Sequence, residues 1–225
     1  PYYGVGAVFR DTRNFDAEFD LQDRIMAQFE NIGWARFGGS YDGDSSRNVY
    51  MFMEGGTGEN VEPYIVFAVE FGPTKEVVQW VQDKLVEYSN YNAIILTHCY
   101  FDTHGNLTTW NAQNTGGDFA EAYEGIQLWE DLISKNDNVV MVNCGHSQNQ
   151  QVQIRVNENE FGHDVVQILS DPSAMITGFP SGKGIIELMC FTYDGKMHTY
   201  YYSPDKGMFY DTQFEATMDM HSVTR

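Results

Sequence analysis

The chain has 225 residues, room for one well-filled domain, and its 42% apolar and 15% aromatic content excludes a disordered polypeptide. Its 32 Asp and Glu outnumber 13 Lys and Arg, for a net charge of −19. That balance excludes the basic footprint required by nucleic acid or an anionic membrane surface, and it fits an extracellular or cell-surface setting. No apolar run reaches the roughly 18 residues of a membrane-spanning helix. Pro1 stands where an initiator Met would, with no signal peptide after it, so the chain reads as processed or cropped.

In chain order, residues 1–19 read as irregular, with Gly4 and Gly6 in an aromatic start and a turn at 11–14. The spacing of Leu21, Ile25, Met26 and Phe29 predicts a helix over 20–31 capped by Asp20. Residues 38–47 read as a polar, Gly-rich surface loop. Its Asp42 and Asp44 depart from the EF-hand pattern, which leaves Ca²⁺ binding there the lesser reading. Residues 48–53 and 64–71 pair as strands, and a helix from Thr74 to about Tyr88 turns Val77, Val78, Val81 and Leu85 inward.

The strand over 93–96 ends at His98. A long loop, 100–117, then carries His104, Asn106, Trp110 and Asn111 at a strand's C-terminal end, where functional loops gather. A second helix is predicted over 118–135 from Phe119, Ala122, Tyr123, Ile126 and Ile133. The strand of Val139, Val140, Met141 and Val142 runs into Asn143-Cys144-Gly145-His146. Further strands are predicted over 151–156, 165–170, 184–193, 197–203 and 213–220, with Tyr193-Asp194-Gly195-Lys196 as a hairpin turn. The expected fold is α/β with α+β character at the back. Its front is a parallel or mixed sheet built from βαβ units and its back an antiparallel sheet, in one domain over 1–225.

Two apolar strands each delivering a histidine where the strand stops is how α/β enzymes gather metal ligands at one sheet edge. His98 and His146 are therefore the sharp candidates, with Gln148 two residues on as a weak neutral oxygen donor. His163, His198 and His221 stand isolated in the sequence and read as ordinary solvated or hydrogen-bonded side chains, and Cys99, Cys144 and Cys190 read as buried free thiols. Cys99 neighbours His98 but points to the opposite strand face, so the two cannot act as a Cys/His couple. Ser147 and Ser170 lack a Gly-x-Ser-x-Gly elbow, and neither a phosphate loop nor a dinucleotide turn occurs. The alternation of Tyr200, Tyr201 and Tyr202 reads as strand packing.

Leu96-Thr97-His98 followed by Asn143-Cys144-Gly145-His146 resembles the last two metal motifs of calcineurin-like metallophosphoesterases of the secreted bacterial type. Glu70-Phe71-Gly72-Pro73 with the Trp80 helix resembles the segment leading into the first of these. Ile186-Glu187-Leu188 with Tyr193-Asp194-Gly195-Lys196 resembles the family's closing hairpin. The resemblance spans residues 35–220. It implies a mixed β-sandwich flanked by helices in four αββα layers, two metals at the sheet edge, and hydrolysis of phosphate esters.

The departures carry as much information. The family's first two motifs, with an Asp, a His and the bridging Asp, are absent, so the fold reads as incomplete at its N-terminus. The third motif aligns with Gly6-Ala7-Val8-Phe9, where Ala7 and Val8 replace a metal-binding Asn and a proton-transferring His. The last motif's second His is Gln148. Only His98 and His146 carry over as ligands, joined by Gln148, for a divalent cation (Zn, Mn, Fe or Ca) that two imidazoles and an amide hold weakly.

The expected function is thus a non-catalytic metallophosphoesterase-like domain serving as an extracellular structural or assembly subunit. The competing expectation is the C-terminal part of an active dinuclear hydrolase whose other ligands lie upstream. Either way the uncovered sheet calls for a partner: the missing N-terminal half, a second chain, or copies of itself. A third reading is a sugar- or peptide-binding module built around Trp110.

Overall fold

The computed structural model describes residue 10 and residues 13–18, 25–43, 45–55, 61–147, 152–171, 185–210 and 215–223. The fold is mixed α/β, dominated by one large mixed sheet with few helices. Eleven strands occur among these residues: β1 Ala35–Ser40, β2 Val49–Gly55, β3 Glu62–Ala68, β4 Asn92–Thr97, β5 Val139–Cys144, β6 Gln153–Glu158, β7 Asp164–Leu169, β8 Ile186–Phe191, β9 Lys196–Ser203, β10 Met208–Phe209 and β11 Ala216–Asp219. The first seven form one sheet in the order β1-β2-β3-β4-β5-β7-β6; the last four form a smaller one around β9.

In the large sheet β3, β4, β5 and β7 run parallel, flanked by antiparallel β2 and β6. The β3–α3–β4 crossover is the predicted βαβ unit, with α3 at Lys75–Glu87. Thr74 caps α3 by accepting from the Val77 N–H at 3.3 Å, and Val77, Val78, Val81 and Leu85 are its buried face. These side chains pack with Ile65, Phe67, Ala93, Ile95 and Val142 on one face of the sheet. The opposite face, carrying Val66, Ile94, Met141, Val166 and Ile168, packs on Met197 and Met218 of the small sheet. The large sheet's central strands are therefore buried on both sides, as parallel strands require. On the small sheet's far side Ile186, Leu188 and Cys190 are exposed.

Several expectations are corrected. A short helix, α1 (Arg13–Glu18), lies in the stretch read as irregular. Of the 20–31 helix only Ile25 onward is described, ending in α2 (Ala27–Phe29); Asp20 and Leu21 lie outside the described residues. β1 occupies the start of the predicted Gly-rich loop. A Cβ on Gly38 would sit 2.3 Å from Cε2 of Tyr50, so glycine there lets the Tyr50 ring lie across the strand. The 118–135 helix breaks into a 3₁₀ turn at Gly117–Phe119, then α4 (Gly125–Leu128), then a π-helical turn at Trp129–Ile133. Glu124 sets the start by a capping box with Gln127. Phe119 and Ala122 leave the helix to pack with Ala112 and Phe71.

The β6–β7 hairpin was expected in the antiparallel back sheet. Instead β7 lies parallel to β5, because Val165, Val166, Ile168 and Leu169 are buried on both faces and an outer sheet would leave one face wet. The β8–β9 hairpin is as expected, with Gly195 at φ 80° in its turn. Cys99 and Cys144 are buried free thiols, whereas Cys190 is exposed. No described helix is long and apolar enough to cross a membrane.

Candidate metal centre at the strand ends

Parallel strands bring their C-terminal ends to one edge, and here β3, β4, β5 and β7 deliver Glu70 and Phe71, His98, His146, and Asp171 respectively. The ladder continues one step past β4 and β5: Gly145 N donates to the His98 carbonyl at 3.0 Å. Ser147 N then donates back to the Gly145 carbonyl at 2.8 Å, closing a three-residue γ-turn around His146, whose φ is 68°. His146 is the one non-glycine among the described residues in the left-handed region. The buried Ser147 hydroxyl donates to the Phe101 carbonyl and pins the far side of the turn.

The outcome is a direct meeting of the two rings. His146 Nδ1 lies 2.9 Å from His98 Nε2, with ring centroids 4.7 Å apart and nearly perpendicular. With metal–nitrogen bonds of about 2.0–2.1 Å, neighbouring ligands on one cation place their nitrogens about 2.9–3.4 Å apart, so the spacing of the pair, which also suits a direct ring-to-ring hydrogen bond, is compatible with two ligands of one cation. Phe71 walls the pair, stacking on His146 at 5.7 Å and meeting His98 edge-on at 5.9 Å. Burial, and secondarily the neighbouring His146, lower the His98 pKa, and the Asp171 carboxylate partly offsets them. A lowered pKa leaves His98 neutral, the state in which it can ligate.

Beside the pair is a network that sequence reading missed. Glu70 is ion-paired with Arg10 Nη1 at 2.9 Å and Arg47 Nε at 3.5 Å, and its Oε1 accepts from Asn48 at 3.3 Å. Arg10 also donates to the Gly72 carbonyl and sits over the Phe119 ring at 4.3 Å. The available signal was an acidic residue directly after the apolar run of β3, the same pattern that exposed His98. Asp171, directly beyond β7, shows it again.

His98 and His146 are brought together as expected; Gln148, Ala7 and Val8 lie outside the described residues. Asp42 is held by Arg47 at 2.7 Å, and its proposed Ca²⁺ partner Asp44 lies outside the described residues. Cys99 is buried with its thiol pushed up to about 12, chiefly by desolvation, which leaves it unreactive. Trp110 is 66% exposed. His198 bonds Thr217 at 2.8 Å. His163 and His221, isolated in the sequence, both meet Asp137 in the fold.

No family model matches the chain. It is 25% identical over 227 residues to the uncharacterized protein YvnB of Bacillus subtilis (strain 168), a match covering 99% of this chain and 16% of that protein. The chain thus spans about a sixth of that relative's length. Among solved structures it is similar to GAP50, the anchor in the inner membrane complex of Plasmodium, with a TM-score of 0.45 and 11% identity over 80% of this chain and 57% of that one.

Proposed function

We propose that this chain is a metallophosphoesterase-type domain in which His98 and His146 hold one divalent cation, and that by itself it serves as an extracellular binding or assembly domain rather than a hydrolase. The observation that carries the reading is the 2.9 Å approach of the two imidazole nitrogens at adjacent parallel strand ends. Two imidazoles suit Zn²⁺ or Fe²⁺ better than Ca²⁺, which prefers oxygen. A two-metal hydrolytic centre needs bridging oxygen ligands and four to six donors per ion, and among the described residues no further His, Cys, Asp or Glu forms a three-ligand group within 4.8 Å with the two rings. The exposed Ile186 and Leu188 on the small sheet suit an assembly surface.

The second reading is the C-terminal part of an active phosphoester hydrolase. It is favoured by the match to YvnB, which runs through this whole chain yet takes up 16% of that protein. Elemental analysis and hydrolysis of bis(p-nitrophenyl) phosphate under added Zn²⁺ or Mn²⁺, measured on the full-length gene product carrying this chain beside its His98→Ala variant, separate the two. Our reading expects one cation per chain at this pair, lost in the variant, and no turnover above it. Turnover that is lost in the variant would replace it by the second reading, and metal content equal in both proteins would remove the site altogether.

A further inference from the structure

We propose a second divalent-cation site, of the Zn²⁺ class, formed by Asp137, His163 and His221 at the opposite end of the large sheet, where it ties the small sheet to the large one. Their ligand atoms all lie within 4.8 Å of one another. Asp137 precedes β5 and His163 precedes β7, so both stand at N-terminal strand ends, away from His98 and His146. His221 follows β11, the last strand of the small sheet. Three segments distant in sequence thus converge on one point.

Each of the three is held from behind. The Asp137 turn is nailed down by its neighbours: Asn136 Nδ2 donates to the Leu132 carbonyl at 2.6 Å, and Asn138 Nδ2 to the Leu85 carbonyl at 3.2 Å. The β6–β7 turn is organised by Asn159, whose Oδ1 accepts from both Phe161 N and His163 N at 3.0 Å. Glu160 N donates to the Ser134 carbonyl at 2.8 Å, docking that turn against the Asp137 segment. The His221 segment is anchored on both sides, by Met220 N to the Gly195 carbonyl at 2.8 Å and by Val223 N to Asn92 Oδ1 at 2.9 Å.

Within the cluster His163 Nδ1 bonds Asp137 Oδ1, and His221 Nε2 lies 3.7 Å from the same oxygen. The imidazoles stack at 4.0 Å and 18°. Two neutral imidazoles and one carboxylate are the donor set of zinc sites that keep an open position for water or another ligand. Side-chain exposures of 44% for His163, 40% for Asp137 and 18% for His221 leave a path for an ion from solvent. The net charge of −19 enriches cations around the molecule.

The test uses the whole chain carrying His98→Ala and His146→Ala, stripped with EDTA, so that the first pair cannot contribute. Titration with Zn²⁺ is expected to fill one site per chain and to raise Tm, reversibly by EDTA. Adding Asp137→Asn and His221→Ala is expected to weaken that binding by at least about tenfold and to abolish the Zn²⁺-dependent rise. A second readout avoids the risk that the combined variant misfolds: in the first variant, Zn²⁺ should perturb the NMR signals of the His163 and His221 rings. No Zn²⁺ uptake by the first variant, equal uptake after the added substitutions, or perturbation only at other residues would overturn the site.

Discussion

Asn143 on β5 donates a 2.7 Å hydrogen bond to Glu187 Oε2 on β8, tying the two sheets through a carboxyl in their shared interior. Tyr201 on β9 donates to the other oxygen at 3.0 Å. Desolvation raises the Glu187 pKa from its ordinary 4.5, and the donors from Asn143, Tyr201 and Ser170 only partly offset it. An acid with a raised folded-state pKa contributes stability that is fully present below its unfolded value and is lost as pH rises through the folded one. Glu187→Gln keeps an acceptor and cannot ionise. The wild type should therefore match the variant near about pH 4 and fall behind it by about pH 7.5, in urea midpoints measured across that range.

Glu70 is the hub of two guanidiniums, and its side chain is 7% exposed, with Arg10 at 11% and Arg47 at 22%. Removing one member of such a buried set leaves uncompensated charge and costs about 3–5 kcal/mol. Glu70→Ala should lower stability by that order in chemical denaturation, because Arg10 loses the Glu70 carboxylate and Arg47 keeps only the more exposed Asp42. Asp42→Ala should cost far less, near the 0–1 kcal/mol or so of an exposed pair, since Arg47 retains Glu70.

Why some of this was legible in the sequence follows from what each segment depends on. The β3–α3–β4 unit was readable because Val77, Val78, Val81 and Leu85 keep helical spacing and Thr74 caps them, both local facts. His98 and His146 were readable because parallel strands send like positions to one edge. The 118–135 segment was misread because Phe119 and Ala122 have helical spacing but are claimed by Phe71 and Ala112, a tertiary contact that overrides it. β7 was assigned to the wrong sheet although Val165, Val166, Ile168 and Leu169 place apolar side chains on both faces of the strand, the mark of a strand covered on both sides, with Gln167 as the one polar interruption. The Asp137, His163 and His221 cluster joins a turn, a hairpin and a strand exit, and no spacing rule connects these.

Gly125 opens α4 with no room for a side chain. A Cβ there would meet the Tyr100 carbonyl oxygen at 2.1 Å and Thr108 N at 2.9 Å, both backbone atoms that cannot rotate away. Gly→Ala in a helix ordinarily gains about 0.5–1 kcal/mol. Here overpacking of about 1–3 kcal/mol outweighs that gain, so Gly125→Ala should destabilise. A higher denaturation midpoint for the variant would show that the loop at 100–108 gives way instead.

His146 sits at φ 68° because the γ-turn that delivers its ring to His98 requires it. For a residue with a Cβ that conformation costs about 1–2 kcal/mol, whereas glycine adopts it freely. His146→Gly and His146→Ala both remove the imidazole, the contact to His98 and the stacking on Phe71, so the two variants differ mainly in the backbone term. The glycine variant should be the more stable by about 1 kcal/mol in urea denaturation, and under the proposed function neither variant should bind a cation with His98. Equal stabilities would mean that the turn relaxes once the ring is gone, and that the strain is imposed by the histidine pair rather than by the Gly145 and Ser147 hydrogen bonds.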